Sequence, residues 1–181
     1  LILVTGDHET GGLTIGFAGT DYDTYLTNLT NQKISYAKFD SDYVAGYKEN
    51  QTPFEEVLKD IKENFGLMTA DDPDATEDSK LVLTEYEYGK LEDAYNRTLE
   101  SGKGKKDEMT QEEYLLYGTY EPLSVTITHI LNNKSGISFS SYAHTGLPVP
   151  VFALGAGQDL FEGYYDNTDI YNNMAALTGV E

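Results

Sequence analysis

With 181 residues, 39% of them apolar, the chain is long enough to bury one core and is not compositionally disordered. A formal net charge of −19 and a single arginine, Arg97, argue against DNA or RNA as a partner, because phosphate backbones call for basic patches. The absence of cysteine rules out disulfides, thiolate nucleophiles and Cys-type zinc sites, and no apolar run approaches the roughly 20 residues of a membrane helix.

Residues 1–5, Leu-Ile-Leu-Val-Thr, are an apolar β-branched run and predict a buried strand. Natural chains seldom begin inside such a strand, and neither an initiating Met nor a signal peptide is present, so the sequence reads as a piece of something longer. Without its partner strands this segment is expected at a sheet edge, where it promotes self-association. Residues 13–17 alternate and predict a second short strand, with Gly11-Gly12 as the tight turn between the two.

Residues 21–120 are more acidic and read as helices and loops. Thr52-Pro53-Phe54-Glu55 predicts a capped helix start, with the helix running to about Asn64 and stopped by Gly66. Thr84 with Glu87, and Thr110 with Glu113, predict two further capping boxes, opening helices to about Glu100 and Gly118. Residues 101–106 read as an exposed linker. Pro122 then starts a helix through Val125, Ile127, Ile130 and Leu131 that ends near Gly136. Residues 137–141 and 149–154 predict strands, and Thr168 is expected to cap a final helix ending near Gly179. Strands mixed with helices indicate an α/β sandwich. The 15 tyrosines read as amphipathic packing residues, with carbohydrate binding as the rival use.

The run Thr5-Gly6-Asp7-His8-Glu9-Thr10-Gly11-Gly12 carries the clearest chemistry. Neighbouring side chains on a strand point to opposite faces, so Asp7 and His8 can share one metal only where the chain turns at a strand end. Ligands of open α/β sheets bind at that end, and zinc accepts both imidazole nitrogen and carboxylate oxygen. A turn-capping Asp7 beside a surface His8 is the bland alternative, and the residues alone leave both open. His144 lies in a second loop between predicted strands and would meet His8 if those strands are neighbours. His129, inside an apolar helix, reads as a packed histidine. Asp72, Asp74, Thr76 and Asp78 alternate as in a calcium loop, but Glu77 stands at the glycine position and Leu83 at the terminal glutamate position. Asn28, Asn96 and Asn133 begin glycosylation triplets, a weak signal.

Two segments together resemble the bacterial alkaline phosphatase family. One is the strand followed by Asp7-His8-Glu9-Thr10-Gly11-Gly12. The other is Asn133-Lys134-Ser135-Gly136-Ile137 through His144-Thr145-Gly146 to Val149-Pro150-Val151-Phe152-Ala153. The resemblance implies the C-terminal part of one alkaline phosphatase domain, a three-layer sandwich with a mostly parallel sheet flanked by helices, its N-terminal portion missing and a variable, mostly helical insertion at about 21–120. It implies two zinc ions and one magnesium, a serine nucleophile, a phosphoseryl intermediate and phosphate monoester substrates. Asp7 and His8 would bind the zinc nearest the serine, and His144 the other. A homodimer and a periplasmic or secreted location are further implications.

The family's Asp-Ser-Ala nucleophile motif, its Asp-x-x-x-His zinc motif and its phosphate-binding arginine have no match here. The isolated chain is therefore expected to bind metal weakly or not at all and to be inactive. The rival readings are a non-catalytic acidic, Tyr-rich binding module, and a phosphodiesterase or phosphomutase on the same metal frame.

Overall fold

Periodic burial of apolar residues builds the larger part of the molecule. In the computed structural model, which describes residues 1–76, 78–100, 104 and 108–180, the chain divides into two compact units, Thr14–Phe139 and the pair of segments Leu1–Leu13 and Ser140–Glu181. Glu77 and, apart from Gly104, the expected linker at 101–106 lie outside the described residues.

Within Thr14–Phe139, the helix α6 (Pro122–Lys134) is apolar on most of its circumference and is accordingly buried on most sides. The helices α1 (Tyr36–Phe39), α3 (Phe54–Phe65), α4 (Glu85–Glu100) and α5 (Gln111–Tyr117) pack against it. Helix α3 turns Val57, Ile61, Asn64 and Phe65 inward, and α4 turns Leu91, Ala94, Tyr95 and Thr98, both sets recurring at three- and four-residue spacing. Leu91, Leu123, Ile127 and Leu131 are fully enclosed with Phe39 and Phe65. Each such side chain contributes about 1.5–3 kcal/mol of burial. The first turn of α6 is satisfied from outside the helix, because the Thr98 hydroxyl accepts from the Leu123 N–H at 3.1 Å. Between α1 and α2 (Ala45–Asn50), a π-helical stretch Asp40–Val44 continues the axis, and the Ser124 hydroxyl donates to Asp40.

The helix signals hold to different degrees. The Thr84 and Thr110 boxes form as expected, each threonine N–H donating to its glutamate at 2.8 Å and each glutamate N–H donating back to the hydroxyl at 3.2 Å. At α3 the N-cap is Pro53, not Thr52, and no side chain caps it. Thr52 instead serves the preceding turn, its N–H donating to Tyr47 and its carbonyl accepting from the Tyr95 hydroxyl. Gly66 ends α3 with φ +76°, as expected of a glycine C-cap. The strands β2 (Thr14–Ile15) and β3 (Ile137–Ser138), shorter than their sequence patterns, pair antiparallel. Tyr47, Tyr95 and Tyr117 are buried in this unit, so part of the tyrosine content is core.

In the second unit, β1 (Ile2–Thr5) pairs antiparallel with β4 (Val151–Leu154), Val4 opposite Phe152 and Thr5 opposite Val151. The expected burial of residues 1–5 is not found: Ile2, Val4, Phe152 and Leu154 share one face and are 60–68% exposed. Two strands make a ribbon, and no layer from the described residues covers that face. The last helix, α7 (Asn167–Thr178), is capped by Asp166, with Asp169 completing the box, two residues earlier than the expected Thr168. Asp166 wins because its carboxylate takes both the N–H and the hydroxyl of Thr168.

Candidate metal centre

Strand pairing brings the two histidine loops together. β1 leads directly into Asp7 and His8, and the loop 140–150 carrying His144 leads into β4, its partner. The Gly11-Gly12 turn, with φ +70° and +67°, lies against the second loop: the Gly11 carbonyl accepts from the N–H groups of Ser140 and Ser141 at 2.9 and 3.1 Å. A β-carbon at Gly12 would stand 2.2 Å from the Ser140 hydroxyl oxygen.

The imidazoles of His8 and His144 stack with centroids 3.3 Å apart and planes 19° apart. His8 Nδ1 lies 2.6 Å from the Glu9 carbonyl oxygen, which can only accept, so Nδ1–H is the donor, and in the neutral ring that leaves the lone pair on Nε2. That Nε2 stands 3.6 Å from Asp7 Oδ1, and both side chains reach solvent. The same Asp7 Oδ1 also accepts the His8 N–H at 3.1 Å, so the bland local contact and the donor spacing fall on one oxygen. A cleft of about 1,090 Å³ opens beside them, lined in part by Thr5, Asp7, His8, Glu9 and Tyr164.

Glu9 was not among the candidate residues, yet it joins the loops. Its Oε2 accepts from the Gly12 N–H at 2.5 Å, and its Oε1 accepts from the Thr145 N–H. Burial works to raise the Glu9 carboxyl, but the Gly12 and Thr145 hydrogen bonds and nearby His144 outweigh it and hold it below the ordinary carboxylate value. The signal in sequence was an acid placed three residues before a glycine turn, which can accept that turn's free N–H.

The donor chemistry suits zinc. Two donors at about 2.0–2.2 Å from one tetrahedral ion stand about 3.3–3.6 Å apart, which the Asp7 Oδ1 to His8 Nε2 separation meets. The number of donors is short of a full site: among the described residues no group of three or more His, Asp or Glu side chains converges on one point.

The other sequence candidates serve elsewhere. His129 lies on α6, where burial and the charge of Lys90 push its pKa down. In the calcium-like loop, the Lys62 ammonium sits between Asp72 and Asp74 at 2.6 Å from each, filling the place a cation would take. Among the described residues no helix is long and apolar enough to cross a membrane.

A family model described as alkaline phosphatase matches residues 1–180, and the chain belongs to that family. It is 27% identical over 174 residues to alkaline phosphatase 3 of Bacillus subtilis, and 27% identical over 172 residues to alkaline phosphatase 4 of the same organism. These matches cover 96% and 95% of this chain but only 29% and 28% of the relatives. The chain thus spans less than a third of the length of the curated relatives it matches. Among solved structures it is similar to a cold-active alkaline phosphatase from a psychrophilic Shewanella, with a TM-score of 0.61 and 24% identity over 97% of this chain and 33% of that one. That likeness places the chain in the α/β fold of alkaline phosphatases.

Proposed function

We propose that this chain supplies part of the metal centre of a zinc-dependent alkaline phosphatase that hydrolyses phosphate monoesters. The observation that carries the reading is the stacked His8–His144 pair with Asp7 beside His8, next to a cleft that Asp7 and His8 help to line. Asp7 and His8 would hold one zinc and His144 a second, with magnesium as the third ion of the assembled site. Two-metal sites place their ions about 3.5–4 Å apart. The His8 and His144 ring centroids stand 3.3 Å apart, a similar spacing, which supports one histidine per ion. When bound, such ions supply Lewis acidity at the attacking and leaving oxygens. This chain's own part is to hold and orient: the Glu9 carbonyl fixes the His8 tautomer, and the cleft admits the ester.

The nucleophile motif, the Asp-x-x-x-His motif and the phosphate-binding arginine are not among these 181 residues. The chain alone is accordingly inactive and weak in zinc. Both units belong to one phosphatase domain in this reading, the enzyme is exported to the periplasm or beyond, and it is a homodimer. The test is hydrolysis of p-nitrophenyl phosphate. The enzyme carrying this chain should turn over, stop with chelator and recover with zinc, whereas the pure 181-residue chain should show no steady rate. Chelator-insensitive turnover by the enzyme, or steady turnover by the pure chain that His8→Ala abolishes, would overturn the proposal.

A further inference from the structure

Each of the two histidines is flanked on its C-terminal side by a residue that takes part in one shared contact. Glu9 follows His8, and Thr145 follows His144. The Glu9 carboxylate accepts from the Thr145 N–H with one oxygen and from the Gly12 N–H with the other, at 2.5 Å. The two loops are separately held further along by the bonds from Ser140 and Ser141 to the Gly11 carbonyl. Glu9 is therefore not needed to bring the loops together. It adds a second tie, next to the rings, and two ties at different points fix an orientation where one would leave a hinge.

We propose that Glu9 is a positioning residue of the metal centre, a clamp that sets the spacing between His8 and His144 by holding Gly12 and Thr145 on one carboxylate. The proposal rests on the zinc reading given above. Glutamate suits the task because a carboxylate is an acceptor at both oxygens, and both partners are donors. Glutamine has a single acceptor oxygen, so its NH₂ would face one of the two N–H groups. Aspartate keeps both acceptors but is one methylene short, so it spans the gap less well.

The test uses the full-length enzyme that carries this chain, as Glu9→Gln and Glu9→Asp variants. In chelator-stripped enzyme, hydrogen–deuterium exchange should rise in Glu9→Gln both in peptides covering 5–12 and in those covering 140–146. Zinc retention against a competing chelator should fall by about 10–100-fold, the usual effect of losing a partner that orients metal ligands. The rate constant kcat should fall at limiting zinc with KM little changed, and excess zinc should restore most of it. Glu9→Asp should fall between, and it carries the test if Glu9→Gln fails to fold. Exchange that rises only in 5–12, or zinc retention equal to wild type, would overturn the clamp. A wild-type enzyme that holds no zinc would overturn the zinc reading and the positioning role with it, while the exchange comparison would still decide whether the two loops are tied.

Discussion

The rings of His8 and His144 stack at 3.3 Å although they sit on loops far apart in the sequence. They meet because the strand before His8 and the strand after His144 are hydrogen-bonded partners, Thr5 opposite Val151. Side chains that serve one centre act as a unit, and their losses are not additive. His8→Ala and His144→Ala should each lower kcat/KM of the enzyme carrying this chain by more than the roughly 10–100-fold typical of an outer partner. The double variant should be little worse than the poorer single. Kinetics with p-nitrophenyl phosphate check this, and losses that multiply would mean the two rings serve separate ends.

How much of this could be read in advance depends on the range of the interaction. The Thr84 and Thr110 capping boxes were legible because the partners lie three residues apart and the geometry is local. Gly66 and Gly179 were legible as helix stops for the same reason, since a left-handed residue needs no distant partner. Thr52 is not the cap of α3, and its carbonyl serves a partner no local pattern names, the Tyr95 hydroxyl 43 residues away. Asp7, His8 and His144 could be named as candidates, but the meeting of the His8 and His144 rings waits on the pairing of β1 with β4, which no local pattern specifies. Glu9 was hidden for a related reason: half of its contacts lie 136 residues away, on the Thr145 N–H. The exposed face of Ile2, Val4, Phe152 and Leu154 was read as buried because hydrophobicity reports what a strand favours, not whether a layer is there to cover it.

Lys62 gives a pH-dependent contribution whose sign is fixed. Its ammonium, hydrogen-bonded at 2.6 Å, and the Asp74 N–H hold the Asp72 carboxyl below its ordinary value. A carboxyl depressed on folding stabilises the fold above its unfolded value, about 3.9, and that stability is lost as pH falls through the folded value. Thermal midpoints of the wild-type chain should therefore decline below about pH 4. In Lys62→Met the decline should be shallower and the midpoint at neutral pH lower. Parallel curves for the two proteins between pH 3 and 6 would show that this lysine does not set the Asp72 titration.

Glycine to alanine should have opposite signs at two positions in this chain. Gly89 lies within α4, where a β-carbon meets no atom within 4 Å. Alanine there removes unfolded-chain freedom and favours helix, so Gly89→Ala should stabilise by about 0.4–1 kcal/mol. Gly12 has φ +67°, and its β-carbon would press on the Ser140 hydroxyl oxygen at 2.2 Å. The Ser140 side chain can rotate away, but the backbone conformation cannot be relieved so simply, and a left-handed non-glycine residue costs about 1–2 kcal/mol. Gly12→Ala should thus destabilise by at least that amount. It should also loosen the turn whose N–H the Glu9 carboxylate accepts. Urea unfolding of the two variants beside wild type measures both signs. A neutral Gly12→Ala would mean that the turn relaxes out of the left-handed region, and the orientation of His8 would then have to come from the bonds to the Gly11 carbonyl alone.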